Sequence, residues 1–311
     1  MKFSQRMPLG KRILFWTTTD MKDRKNFLGH LALWGTAFIW GTSFVILKEA
    51  LDSIGTMWVL ALRFIIAAAL LLLAAGKRLK TLGRDGLRGG VLLGVCLAAA
   101  YIFQTYGLKY TTPGKNAFLT ATYCVLVPFM VWAFFKRRPN AANIIAAFMC
   151  VFGIGLVSLS GTSPFNVGDA LTLVCGIFYA LQIILTERFI GDCDALSLTG
   201  VEFGTAAVIC LAGALIFESA PVGLSLELWG SIAYMGVMCT ALCFFLQTWG
   251  MRYTPSSTAA VIMTFESVFA IIISVIFYDE PVTVRLICGF TLIIASVIIS
   301  ERAPLRLKKI S

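Results

Sequence analysis

The chain has 311 residues, of which 59% are hydrophobic and only 14% charged, with a formal net charge of +10. A soluble globular domain runs at about 45–50% and 25% on the same two measures, so an ordinary soluble domain is excluded. One histidine and nine cysteines, with no CxxC pair among them, leave little for a metal centre, a disulfide framework or Ser-His catalysis.

The hydrophobic excess falls into blocks of roughly twenty residues, the length of helix that crosses a ~30 Å hydrocarbon core. After a basic tail at 1–27, the blocks predict spans at 30–49, 56–75, 89–109, 114–135 and 142–160. Five more follow at 168–189, 195–217, 228–250, 257–278 and 283–301, before a second basic tail at 303–311. The expectation is an all-α polytopic membrane protein of ten transmembrane helices in the cell (inner or plasma) membrane. Stretches such as Leu62–Ala75 are apolar on every face, and no single soluble core buries ten of those. The blocks are also too long and too rich in Ala and Leu for the alternating strands of a membrane barrel.

Charge sets the orientation. Lys and Arg cluster in the first tail (Lys11, Arg12, Lys22), between spans 2 and 3 (Lys77, Arg78, Lys80), after span 4 (Lys136, Arg137, Arg138) and after span 10 (Arg302, Arg306, Lys308). With ten spans these clusters share one side, which the positive-inside rule makes cytoplasmic together with both termini. The basic balance thus points to membrane lipid and not to nucleic acid. The first tail lacks a long apolar core, so it is not expected to be a cleaved signal peptide. Whether Lys11–Trp16 lies on anionic lipid or is disordered stays open.

The chain also repeats itself. From Gln104 to Thr111 it reads "QTYGLKYT", and from Gln247 to Thr254 "QTWGMRYT", five identities in eight at an offset of 143. At an offset of 139, Gly29 pairs with Gly168, Trp40 with Tyr179, and "SFVILKE" (Ser43–Glu49) with "QIILTER" (Gln182–Arg188). These matches predict two five-helix repeats, 28–160 and 161–302. Five is odd, so the second is expected to be inverted. Inverted repeats around a pseudo-twofold are a mark of secondary transporters, whose two near-equivalent packings open alternate faces.

Several segments resemble a known family. They are Trp40-Gly41-Thr42-Ser43-Phe44, Arg63-Phe64, Asn116–Pro128, the stretch Gly168–Arg188, and Glu280-Pro281-Val282-Thr283. In order and spacing the chain is similar to EamA-type members of the drug/metabolite transporter superfamily. It departs from them at Ser267, often Pro in the family, and at Lys136-Arg137-Arg138-Pro139, where an acidic residue is usual. The resemblance implies a central cavity lined mostly by spans 3, 4, 8 and 9, surrounded by 1, 2, 6 and 7, with 5 and 10 peripheral. It also implies export of small metabolites.

Ionisable groups at membrane depth cost about 2.5–3.5 kcal/mol each on insertion scales and are functional candidates by default. Glu266 sits near the middle of span 9 as a substrate contact or proton carrier. Its counterpart in the first repeat is Tyr123. Arg63 in span 2 is a candidate ligand for a carboxylate, or a packing cation. Glu202 in span 7 is a weaker candidate. Trp40, Tyr179 and Tyr101, with Phe103 and Phe178 nearby, are candidate apolar walls. Gln104 and Gln247 are candidates to bind substrate or to bridge helices. Gly107 and Gly250, at the repeated joints, are candidate gates. Small-residue stripes at Gly90, Gly94 and Ala98, and at Gly200 and Gly204, are expected at close helix crossings. Pro128 is expected to mark a bend.

No GxxxxGK[ST] loop supplies ATP chemistry, no aspartate-rich motif suits a pyrophosphate–metal site, and no cofactor or metal is expected. The reading is a non-enzymatic secondary-active or facilitative transporter, exporting small metabolites such as amino acids or related compounds. A membrane enzyme acting on a lipid-soluble substrate, or a non-transporting sensor or scaffold, is the alternative, and a homodimer stays open.

Overall fold

The computed structural model describes residues 9–111, 113–158, 165–191, 193–269, 272 and 284–302, and every regular element among them is helical. The helices are α1 (Leu9–Leu51), α2 (Thr56–Ala75), α3 (Gly83–Tyr110), α4 (Pro113–Thr120), α5 (Tyr123–Phe135) and α6 (Ala141–Ser158). Then come α7 (Val167–Ile190), α8 (Ala195–Phe217), α9 (Leu226–Tyr234), α10 (Cys243–Met251), α11 (Ser256–Met263) and α12 (Val284–Arg302). Six helical stretches are long and apolar enough to cross a membrane: Arg24–Leu51, Thr56–Thr81, Gly83–Tyr110, Val167–Ile190, Ala195–Phe217 and Leu226–Met251. Shorter apolar helices lie at Tyr123–Phe135, Ala141–Gly153 and Ile287–Ser296. Leu70 and Leu73 on α2, and Val208 and Leu215 on α8, are exposed, as expected of spans whose outer surface meets hydrocarbon instead of water. The motif Glu280–Thr283 and the tail at 303–311 lie outside the described residues. Residues 9–27, expected in the basic tail, continue α1 as one helix.

Helix ends are built from local and distant caps. Asn166 and Asp169 form a reciprocal capping box on α7, and Asp194 and Ser225 each accept the amide hydrogen three residues on, at the starts of α8 and α9. Such caps satisfy donors that an isolated helix leaves open. The start of α2 has no local cap; instead Glu218, just past α8, accepts from the amides of Met57 at 3.1 Å and Trp58 at 3.2 Å. α5 ends with Lys136 in the left-handed region, φ 54°, immediately before the Arg137-Arg138-Pro139 departure from the family pattern.

Two predicted spans are interrupted. Span 4 divides at Ala121-Thr122 into α4 and α5, and span 9 is interrupted at Thr264, after α11. The sites are equivalent in the repeat, because Thr120 and Met263, the last residues of α4 and α11, stand 143 apart. At each, backbone bonding tightens to three-residue steps, as in Thr122 N–H to Leu119 O and Ser267 N–H to Thr264 O. The threonine hydroxyls explain why: Thr122 Oγ1 donates to Leu119 O and Thr264 Oγ1 to Val261 O, both at 2.6 Å. A hydroxyl bonded to a nearby carbonyl competes with the helical ladder. Pro128, expected to mark the bend, lies inside a continuous α5. The second interruption arises with Ser267 where the family often carries proline.

The repeats interleave. The most extensive helix packings pair α2 with α8, α3 with α7, α6 with α12, α3 with α8 and α1 with α10, each joining one repeat to the other. The closest approaches use the repeated glycines. A Cβ added at Gly107 would lie 2.8 Å from Gly168 O, and one added at Gly250 2.8 Å from Gly29 O. Thus the two pairs matched by sequence, Gly107/Gly250 and Gly29/Gly168, meet crosswise in space. The α3 stripe works similarly: Gly90 faces Val201 and Gly94 faces Glu202 O and Thr205 on α8, while Gly200 faces Leu72 on α2.

Gly107→Ala and Gly250→Ala force a methyl against backbone that cannot rotate away, and each is expected to destabilise the protein by about 1–3 kcal/mol. Gly230→Ala, in α9, meets nothing within 4 Å and is expected to be neutral or stabilising. Thermal unfolding in detergent separates the three.

Candidate functional site

One cavity sits between the repeats. It holds about 530 Å³ of atom-free space, its mouth included. Fifteen described residues line it, and twelve of them form six pairs related by the repeat: Trp40/Tyr179, Ser43/Gln182, Phe44/Ile183, Gln104/Gln247, Thr120/Met263 and Tyr123/Glu266. Leu47, Arg63 and Tyr101 complete it. The eight residues singled out as candidate substrate contacts therefore converge on one chamber.

The contribution of each helix differs from what the resemblance implies. α1 and α7, spans 1 and 6, supply seven of the fifteen lining residues, as many as spans 3, 4, 8 and 9 together. Among the described residues α6, α8, α9 and α12 supply none. Phe103 and Phe178, expected near the walls, stack on each other outside the lining, with centroids 5.7 Å apart and planes within 9°. Sequence reasoning missed Leu47, Thr120 and Met263, and also Ser43, Phe44, Gln182 and Ile183, although these four open the matched phrases "SFVILKE" and "QIILTER".

The walls are aromatic and symmetric. Phe64 packs on Tyr101 at 5.1 Å and Tyr101 on Tyr179 at 5.6 Å. In the other repeat Phe203 packs on Phe244 and Phe244 on Trp40, both at 5.0 Å. Edge-to-face and tilted contacts of this kind fix ring orientation as well as burying area.

The polar network is not symmetric. Gln104 bridges helices, accepting from Tyr179 OH at 2.9 Å and donating to Thr120 at 3.1 Å. Gln247 Nε2 donates to Gln182 Oε1 at 3.0 Å, and Gln182 Nε2 donates to Glu202 Oε1 at 2.8 Å. Glu202 is fully buried behind the lining, and its Oε2 has no partner among the described residues. Its equivalent at offset 139 is Arg63, since Arg63-Phe64 aligns with Glu202-Phe203. Arg63 is also buried, donating from Nε and Nη2 to Thr240 Oγ1 at 3.0 and 2.9 Å, and from Nη2 to Tyr101 OH. Its guanidinium stands 4.7 Å from the centre of the Tyr101 ring. Thr240 lies in a π-helical segment, Met235–Leu242, between α9 and α10; such wide turns often mark functional positions. Glu266 is 5% exposed and takes part in no hydrogen bond or ion pair among the described residues.

At the two ends of the bundle, Lys48 and Glu187 occupy equivalent positions with opposite charge. Lys48 Nζ donates to Leu108 O at 2.7 Å and Thr111 O at 3.4 Å at the end of α3. Glu187 accepts from Ser256 N–H at 2.9 Å at the start of α11 and pairs with Arg137 at 3.2 Å. A cation at a helix C-terminus and an anion at an N-terminus each match the helix dipole. Gly107 and Gly250 lie at these ends, outside the cavity lining.

Apolar spans built from two interleaved repeats around one aromatic and polar chamber define a multi-pass integral membrane protein of the transporter class. The EamA-like transporter family model matches residues 27–159 and 166–301, and the chain belongs to that family. It is 32% identical over 282 residues to an uncharacterized transporter of Archaeoglobus fulgidus, covering 89% of this chain and 87% of the relative. It is 20% identical to the uncharacterized transporter YoaV of Bacillus subtilis, covering 85% of this chain and 93% of the relative. A protein of known crystal structure superposes with a TM-score of 0.73 at 16% identity, covering 88% of this chain and 96% of its own, which speaks for the fold alone.

Glu202→Leu leaves the Gln182 amide without its acceptor, at an expected cost of about 1–3 kcal/mol. Glu202→Gln keeps an acceptor and removes a buried charge-bearing group, so it is expected to be at least as stable as the parent. Thermal unfolding in detergent checks both; equal loss in the two variants would place the role of Glu202 outside this network.

Proposed function

We propose that the protein is a secondary-active or facilitative transporter that exports small metabolites, such as amino acids or related compounds, by alternating access through the central cavity. The observation that carries this reading is the cavity itself: twelve of its fifteen lining residues are pairs from equivalent positions of the two repeats. A chamber shared in this way is the arrangement in which exchanging the packings of the halves exposes the same site to opposite faces. Gly107 and Gly250, each pressed against the other repeat, serve as pivots of the two gates. Trp40, Tyr101, Tyr123 and Tyr179 supply the walls, and Glu266, Arg63, Gln104 and Gln247 the polar contacts.

The proposed topology has ten spans with both termini cytoplasmic. It is supported by contacts that group the predicted cytoplasmic joints: Arg78 lies 3.7 Å from Asp194, and Arg137 reaches Glu187 beside Ser256. At the opposite end Glu218 meets the start of α2 and Tyr106 OH, and Asn166 donates to Tyr110 O.

Reconstituted in liposomes loaded with a panel of amino acids and related metabolites, the protein is expected to release at least one of them faster than empty membranes, and Trp40→Ala to slow that flux at least tenfold. Failure of every solute to move, with or without an ion gradient, would sink the transporter reading. A membrane-impermeant maleimide applied to intact cells is expected to label Glu227→Cys and to spare Cys193. The reverse pattern overturns the orientation.

A further inference from the structure

We propose that the cavity recognises its cargo by an ammonium or similar N–H-rich head, held by Glu266, Tyr123 and Gln247, and that a carboxylate on the cargo is dispensable. The proposal rests on the transporter reading of this same cavity and adds the chemical class of the cargo.

The argument is an account of which polar atoms in the chamber are already occupied. Gln104 uses both ends of its amide, on Tyr179 and Thr120. Gln182 uses both of its own, on Gln247 and Glu202. Trp40 donates to Cys239 O at 2.7 Å, and Ser43 to Trp40 O at 2.8 Å. Tyr179 donates to Gln104, and Tyr101 OH accepts from Arg63. Apart from Nη1 of Arg63 and the hydroxyl hydrogen of Tyr101, three groups are left over among the described residues. Tyr123 OH and Gln247 Oε1 are buried and unpartnered, and the Glu266 carboxylate has no hydrogen bond or ion pair.

Tyr123 is 3% exposed and Gln247 1%, and their open oxygens are out of reach of water; Glu266, 5% exposed, lines the cavity. Tyr123 and Glu266 are equivalent positions just past the two helix interruptions, close enough to interact electrostatically. All three can supply acceptor oxygens, and one is a carboxyl group. A buried acceptor left open costs about 1–3 kcal/mol, more when charged. A ligand bearing a cation and several N–H donors removes that cost at all three.

Gln247 cannot turn its amide round to help an anionic ligand. Its Nε2 is held by Gln182 Oε1, whose own Nε2 is held in turn by Glu202. Glu202 is thus a positioning residue: through Gln182 it keeps Gln247 Oε1 as the free end. The aromatic walls add to the preference, since ring faces attract cations.

Arg63, the candidate for binding a carboxylate, is differently placed. Nε and Nη2 are committed to Thr240 and Tyr101, and the guanidinium lies over the Tyr101 ring. Nη1 is the only donor it has left. That geometry anchors α2 to α3 and to the π-helical segment. It offers no paired donors to the bidentate embrace by which arginine selects carboxylates.

The test uses three solutes of one carbon skeleton: 3-methylbutylamine, leucine and 4-methylpentanoate. They carry the ammonium alone, both groups, and the carboxylate alone. Binding is read by quenching of tryptophan fluorescence in detergent, where Trp40 reports from the chamber wall, and flux is read from loaded liposomes. The amine and leucine are expected to bind and move, with the carboxylate at least tenfold weaker. Glu266→Gln is expected to reduce the amine-to-carboxylate preference at least tenfold, and Tyr123→Phe, which removes one oxygen, severalfold. Arg63→Gln is expected to change binding of all three alike and leave their ratio intact.

Preference for 4-methylpentanoate over the amine, or a ratio that collapses in Arg63→Gln and survives in Glu266→Gln, overturns the ammonium subsite. The transporter reading stands in that case, because a solute has moved. Both fall together only when no solute of any charge moves.

Discussion

A helix that breaks inside hydrocarbon must have its freed backbone groups taken up by protein, because no water is present to do it. The two interruptions, at Ala121-Thr122 and at Thr264, meet that condition locally. Tightened backbone steps and threonine hydroxyls absorb the disturbed carbonyls within one turn. The rest of the site depends on this. Just past each break the helix resumes, and Tyr123 and Glu266 lie in its first turn. An unbroken helix would place these side chains by the same 3.6-residue period as their neighbours. The interruption starts that period afresh at the one depth where the repeats share a chamber.

The interleaved packing turns this local feature into a property of the whole molecule. Neither repeat is a domain in the usual sense, because the major helix contacts run between them. Closest approach is reached at Gly107 with Gly168 and at Gly250 with Gly29, where only a hydrogen separates one backbone from another. Such crossings are smooth and lack side chains that must interdigitate. Beside them, Lys48 and Glu187 fasten the ends of α3 and α11 with opposite charges suited to opposite helix poles. The two ends of the bundle are alike in shape and unlike in chemistry.

How much of this was legible follows from the kind of signal each feature leaves. The spans and the repeat were readable because burial in lipid demands long apolar runs and duplication leaves matched phrases such as "QTYGLKYT" and "QTWGMRYT". The convergence of Trp40, Tyr179, Gln104 and Gln247 followed from equivalence across the offsets. The helix interruptions were not readable: they lie at Ala-Thr and Thr, without glycine or proline, whereas Pro128 lies inside an uninterrupted α5. Proline lacks an amide hydrogen that the ladder can do without when neighbours compensate; a threonine reveals its back-bonding only in three dimensions. Arg63 and Glu202 were each noticed as costly groups, but not as one position in two copies, because an exchange of charge hides the match that Phe64/Phe203 and Ala67/Ala206 preserve.

That exchange identifies what the repeats conserve and what they release. Shape is kept: the aromatic trios Phe64–Tyr101–Tyr179 and Phe203–Phe244–Trp40 follow the same order, with ring centroids 5.0–5.6 Å apart. Charge is not kept, with arginine facing glutamate at one equivalent pair and tyrosine facing glutamate at another. Swapping the packings of two halves requires that they be near in volume and contour; it does not require that they carry the same charge. A cargo can bias two conformations only by as much as it binds them differently. In the proposed transport cycle, a chamber with equivalent walls and unequal polar groups provides that difference, because Glu266 on one repeat stands opposite Tyr123 at the same position of the other. Under that proposal the second copy of the fold supplies the other conformation, and the substitutions between the copies supply the reason for a cargo to prefer one over the other.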